Sequence, residues 1–435
     1  MSESSEITGV AKVAEAYARV AAADRPEVWI TLRDRDEVAA EFAAVQAAVA
    51  AGEPLPLAGT LFAVKNNIDV AGIVTTAGCP AYGFEPVSDA PVVARLRAAG
   101  AVVLGSTNLD QFATGLVGVR SPYGAVRHAT HPDLVSGGSS SGSGVAVALG
   151  FVDFALGTDT AGSGRVPAAF HGLYGVKPTR GLVPTTGVVP ACASFDVVTV
   201  LDTDPVRAAL IAQIMAGPDA GDPLSHRPAA PARLVRRVGI ATTEQLGELA
   251  PGWAEAYAAE ADRLAERGLE LVEVDITMLL DTARMLYDGA FVAERYAAVG
   301  EFVDAHRTEV DPTVGGIIAK ARDIPAWQLA RESRDLDRRR VEAARMFETI
   351  DALLLPVTTQ HPSIAAVQAD PVGINRDLGR FTNFVNLLDL AALAYPAAEV
   401  NGLPFGVQLV GPAYSDAELL VAAGVGGRES VGAAG

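Results

Sequence analysis

Two glycine- and serine-dense stretches and one lysine are the residues of this chain best suited to chemistry. The first stretch reads Ser136-Gly137-Gly138-Ser139-Ser140-Ser141-Gly142-Ser143, and the second reads Gly157-Thr158-Asp159-Thr160-Ala161-Gly162-Ser163-Gly164-Arg165-Val166-Pro167. Small residues ahead of Ser163 let successive backbone N–H groups converge on one point, which is what the oxyanion of an attacked carbonyl requires. A serine closing such a nest is placed to attack, but a hydroxyl is a poor nucleophile until a base takes its proton. The six histidines, at 128, 131, 171, 226, 306 and 361, show no recognisable triad spacing. Lysine can replace histidine where desolvation keeps it neutral. Lys65 ends the apolar run Leu61-Phe62-Ala63-Val64, an odd place for a solvated charge, although a lysine snorkelling from a strand end would read the same way. Ser139, taken alone, reads equally as a turn or helix-cap residue. Asp159 and Arg165 read as an ion pair that braces the loop.

These groups need a frame. Residues 10–51 are Ala-rich with helical periodicity, and the Gly52-Glu53-Pro54-Leu55-Pro56 break ends them, so 1–52 is expected to be an N-terminal helical arm and 53–435 the catalytic domain. From Thr60 onward short apolar runs alternate with helical stretches. Strands are expected at 61–64, 101–104, 151–156, 197–201, 238–241, 269–274 and 352–355, and helices at 90–99, 204–216, 251–267, 276–308 and 335–349. The class is α/β: a large sheet sandwiched between helices.

Composition narrows the function. Half of the 435 residues are hydrophobic, enough for a large core, and the net charge of −18 lacks the footprint of a nucleic-acid or anionic-membrane binder. Cys79 and Cys192 cannot build a disulfide framework, which fits a reducing cytosol. The N-terminal text has no basic region leading into an apolar core, and the longest membrane-span candidate, 387–400, carries Asp389, Pro396 and Glu399. A cytoplasmic protein is expected. No metal motif and no Walker pattern occurs, so neither metal nor cofactor is expected.

Lys65, Gly137-Gly138-Ser139-Ser140 and the 158–167 stretch, followed by Lys177-Pro178-Thr179, together resemble the amidase signature family. The resemblance runs from about Pro54 to Gly411 and implies one α/β/α domain on a mixed sheet with a Ser–cis-Ser–Lys triad. Position by position it implies Ser163 as nucleophile, Ser139 as bridging serine and Lys65 as base. The backbone N–H groups of Thr160, Ala161, Gly162 and Ser163 would then hold the oxyanion. It also implies a homodimer.

Within that family, the stretches 107–118, 121–124, 187–192 and 383–389 are most similar to the amidase domain of allophanate hydrolases, which cleave the terminal amide of allophanate (urea-1-carboxylate). Tyr287 and Arg295, eight residues apart, match that group's carboxylate-binding pair, and two helical turns would place both on one face of a helix. Without the family, the two read as a core aromatic and a surface arginine. The chain departs from the pattern at Lys65-Asn66-Asn67, at His171 and at Thr358-Thr359-Gln360-His361-Pro362. It also ends soon after Gly411, so the further domain of the fused enzymes is not expected; either the second step is spontaneous, a separate protein does it, or the physiological substrate differs. The alternatives are an amidase for carboxybiuret or another small amide, a non-catalytic amidotransferase subunit, and a His-dependent serine hydrolase. The last would use Gly138-Ser139-Ser140-Ser141-Gly142 with His306 or His361, but the text before it reads as a loop rather than the strand such an elbow needs.

Overall fold

Apolar runs too short for helices become the strands of one mixed sheet. The computed structural model describes residues 9–226 and 233–425. Residues 1–8, at the start of the expected N-terminal arm, and 426–435 lie outside the described residues, as do 227–232. The strands are β1 (Trp29–Leu32), β2 (Leu61–Lys65), β3 (Val102–Thr107), β4 (Phe154–Asp159), β5 (Tyr174–Lys177), β6 (Val197–Asp202), β7 (Arg237–Ile240), β8 (Glu270–Glu273), β9 (Ala352–Pro356), β10 (Ala391–Val400) and β11 (Leu403–Gly411). Their order across the sheet is β1-β3-β2-β4-β6-β5-β10-β11-β9-β7-β8. The strands β2, β3, β4, β6 and β9 are buried at every position, which explains why they read as unbroken apolar runs rather than alternating ones.

β2 lies between β3 and β4 and runs parallel to both. The carboxyl ends of β2 and β4 therefore open at the same edge of the sheet, where ligands of α/β sheets commonly bind. Lys65 is the last residue of β2, and the Ser163 loop leaves the end of β4.

The seven expected strands coincide with β2, β3, β4, β6, β7, β8 and β9 to within a few residues. The N-terminal segment differs from its expectation. It forms helices Gly9–Ala23 and Arg35–Ala50, but between them β1 pairs antiparallel with β3 at the sheet's edge. The two backbones approach so closely there that a Cβ on Gly105 would lie 2.3 Å from the carbonyl of Thr31. The β10–β11 hairpin was also not anticipated. Its turn, Asn401-Gly402, has both residues at positive φ (54° and 79°), as a type I′ hairpin requires, and a register shift accommodates Pro396. The stretch expected as one helix over 276–308 divides into helix Thr277–Asp288, a 3₁₀ turn Ala290–Val292 and helix Ala293–Ala305. Among the described residues no helix is long and apolar enough to cross a membrane.

Candidate active site

The two serine stretches are stitched to each other before either meets the lysine. Ser140 Oγ donates to the Thr158 carbonyl (3.1 Å) and accepts from the Thr158 N–H (3.2 Å), and Ser143 Oγ donates to the Leu156 carbonyl (2.8 Å). These serines are structural. Gly138 is required for the approach, because a Cβ there would lie 2.6 Å from the Ser163 carbonyl and its φ is +64°.

The result brings Lys65, Ser139 and Ser163 together. Lys65 is fully buried and donates to Ser139 Oγ and Thr158 Oγ1, both at 2.7 Å. Burial pushes its amine down to about 7 from the usual 10.5, against the opposing pull of the Asp110, Asp196 and Asp159 carboxylates. The amine is therefore poised between its two protonation states near neutrality. Ser163 Oγ accepts from the backbone N–H of Ser139 (3.1 Å) and donates to the Gly115 carbonyl (3.2 Å). The expected cis peptide is not present: the described residues contain none, and the turn is made with trans bonds and Gly137 and Gly138 at φ +77° and +64°. The Ser139 group on Ser163 Oγ is the backbone N–H rather than the hydroxyl.

The oxyanion nest also differs from expectation at one position. The N–H of Gly162 donates to Asp159 Oδ1 (2.8 Å) and is committed to the loop. The N–H groups of Thr160, Ala161 and Ser163 have no acceptor among the described residues. Two devices fix this loop. Asp159 receives Arg165 through Nε and Nη2 (2.9 Å each), and Arg165 also reaches Gln408 Oε1 (2.9 Å), the Thr382 carbonyl (3.1 Å) and Asn386 Oδ1 (3.2 Å). Both charged residues are fully buried, so the bracing role read from the sequence holds. On the other flank, Asp196 accepts from the Thr160 hydroxyl and from the N–H groups of Ala191 and Cys192; burial nevertheless raises its carboxyl to about 6.

Tyr287 and Arg295 do meet, but not on one helix. The helix ends at Asp288, Gly289 is extended (φ −100°, ψ −172°), and Glu332 Oε2 accepts from the Ala290 N–H (2.6 Å) where the chain turns. The guanidinium of Arg295 lies over the Tyr287 ring, 4.8 Å from its centroid. Arg295 is 1% exposed and has one hydrogen bond, from Nη1 to Thr114 Oγ1 (3.0 Å). Its Nε and Nη2 and the Tyr287 hydroxyl are buried without a partner among the described residues.

The histidines lie elsewhere. His361 Nε2 meets the Val135 carbonyl (2.8 Å) and its ring stacks on Phe170, and burial pushes it down to about 3. His306 Nδ1 meets the Phe302 carbonyl (3.0 Å). Neither bonds to a serine, and the residues before Ser139 form isolated bridges rather than a strand, which removes the elbow reading. The departures from the family text have structural work. Asn66 spans Thr76, Val74 and Ser106, and His171 is held between the Pro167 carbonyl and the Ala129 N–H. The sequence reading passed over Thr114, Gly115, Thr158 and Asp196. For Thr114 the available signal was its place among the polar residues of the 107–118 text.

The family model for Amidase matches residues 12–420. The urea amidolyase of Saccharomyces cerevisiae is 42% identical over 402 residues, which are 90% of this chain and 22% of that protein, so the chain spans about a fifth of this relative's length. The solved structure of the Kluyveromyces lactis allophanate hydrolase matches with a TM-score of 0.88 at 38% identity, over 96% of this chain and 70% of that one. The 1-carboxybiuret hydrolase subunit AtzE of Pseudomonas sp. (strain ADP) is 34% identical over 92% of this chain and 91% of its own length.

Proposed function

The chain belongs to the Amidase family, hydrolases of amide C–N bonds, and from that premise we propose that it cleaves the terminal amide of allophanate with release of ammonia. The observation that carries this reading is Arg295. A fully buried guanidinium with two unfilled donor nitrogens beside an unfilled tyrosine hydroxyl is costly unless an anionic acceptor arrives. A carboxylate offers two oxygens in the geometry that a guanidinium matches.

In this reading neutral Lys65 draws a proton through Ser139 as Ser163 attacks the amide carbon. The attack requires the Ser163 hydroxyl to turn from the Gly115 carbonyl toward Ser139 Oγ. The three free N–H groups at Thr160, Ala161 and Ser163 take the oxyanion, and loss of one such donor typically costs ~3 kcal/mol. The same relay returns the proton to the leaving nitrogen, and water then hydrolyses the acyl-enzyme.

A second reading, hydrolysis of 1-carboxybiuret, draws support from the AtzE match across nine-tenths of both chains. Its substrate offers the same carboxylate to the same clamp. Ammonia release measured in parallel on allophanate, 1-carboxybiuret, malonamate, biuret and propionamide separates the readings. Allophanate is expected to give the highest kcat/KM. A higher value for 1-carboxybiuret selects the second reading, and equal values for malonamate and propionamide sink both. We carry three further proposals with this reading: a homodimer, tested by sedimentation, a cytoplasmic location, and a separate protein that breaks down the product.

A further inference from the structure

Resting on the carboxylate reading above, we infer that Thr114 is a positioning residue that sets the distance between substrate carboxylate and nucleophile, and so determines selectivity for carboxylated amides. The hydroxyl of Thr114 is the one group among the described residues that accepts a hydrogen bond from Arg295, at 3.0 Å, and it donates onward to the Phe112 carbonyl at 3.2 Å. The next residue, Gly115, presents the carbonyl that receives Ser163 Oγ at 3.2 Å, and the Leu116 carbonyl receives the N–H of Gly138 at 2.9 Å. Three successive residues of one loop thus touch the proposed anion clamp, the proposed nucleophile and the turn that carries Ser139.

The loop is rigid enough to serve as a ruler. Phe112 and Ala113 both sit at φ 51°, a left-handed conformation that costs a non-glycine residue ~1–2 kcal/mol and persists only where the surroundings impose it. Here they do. The N–H of Phe112 bonds to the Ala77 carbonyl (2.8 Å), and the carboxylate of Asp110 accepts from the N–H groups of Val117, Gly118 and Arg120. Arg120 Nη1 fastens the Thr114 carbonyl at 2.9 Å. Thr114 itself is 1% exposed. Only its side chain reaches Arg295, and with one oxygen on Nη1 it fixes the guanidinium plane while leaving Nε and Nη2 open.

The test compares kcat and KM for malonamate, which carries a carboxylate, and propionamide, which does not, in T114V, T114A and T114S. The ratio of kcat/KM for malonamate over propionamide is expected to fall at least tenfold in T114V and T114A, mainly through KM for malonamate. T114S, which keeps the hydroxyl, restores the ratio to within threefold. Adding T114V to R295M is expected to change the ratio no further, since both act through one guanidinium. An unchanged ratio in T114V and T114A, with both substrates slowed alike, overturns the inference and leaves Thr114 a structural residue. If R295M itself keeps the preference for malonamate, the carboxylate reading has failed. If R295M loses the preference while T114V and T114A keep it, only the role of Thr114 has failed. T114A guards against misfolding caused by forcing a valine methyl against the polar groups that meet the hydroxyl, and thermal melts check both variants.

Discussion

Arg165 and Arg295 are the two largest fully buried side chains of the described residues, and they are opposites. Arg165 is neutralised by Asp159 in a two-pronged pair and finds further acceptors in Gln408, Thr382 and Asn386. Arg295 has a threonine hydroxyl, an aromatic face and two empty nitrogens. Residue type and burial are the same, so acceptors decide the role. A saturated buried cation belongs to the frame, whereas one with two empty donor nitrogens keeps capacity for a further acceptor.

That contrast can be broken or sharpened by substitution. The largest effect is expected from S163A, which removes the proposed nucleophile. Single-turnover ammonia release should fall at least ~10⁴-fold, and residual turnover above that level would move the nucleophile elsewhere. Next comes R165M, which leaves Asp159 buried without its partner. Urea denaturation is expected to show a loss of about 3–5 kcal/mol in unfolding free energy. R295M should behave in the opposite way: kcat/KM for malonamate falls ~10²-fold, in line with hydrogen bonds to charge at up to ~3 kcal/mol, while the urea midpoint stays or rises. A midpoint that drops as far as that of R165M would make Arg295 part of the frame.

The smallest effect is on pH. Burial holds Lys65 down to about 7, so the proposed base is neutral above that value and protonated below it. The acidic limb of kcat/KM should bend near 7 and lose roughly tenfold per unit beneath the bend. A limb that bends near 4 instead would point to a carboxylate base.

The same contrast shows what the amino-acid text could reveal. Asp159 and Arg165 were legible as a brace because both partners lie within one short motif, six positions apart. Lys65, Ser139 and Ser163 were legible because a lysine closing an apolar strand and serines amid glycines are each unusual, and more so together. Tyr287 and Arg295 were paired through the family resemblance but placed on one helix, since the break at Gly289 is stabilised by Glu332, a residue 42 positions from Ala290 that no local pattern discloses. Thr114 escaped for a related reason: its meaning lies in a contact 181 residues away and in a left-handed turn made without glycine. Gly162 was assigned to the nest because spacing shows that an N–H exists but not which acceptor claims it. Among the strands, β5 is short and β1 hides inside an Ala-rich helical texture. β10 contains a proline, and the hairpin signal in Asn401-Gly402 was passed over.

The place of β10 and β11 in the sheet bears on how the enzyme comes into being. They enter between β5 and β9, in the middle of the order, yet among the described strands they come latest in the sequence. Thr382, Asn386 and Gln408, which complete the surroundings of Arg165, arrive with or just before them. A nascent chain translated through Asp202 already contains lysine and both serines, but their scaffold has an open seam. Since domains generally fold as units, the hairpin acts as the keystone of this sheet: the seam between β5 and β9 closes only once β10 and β11 are in place.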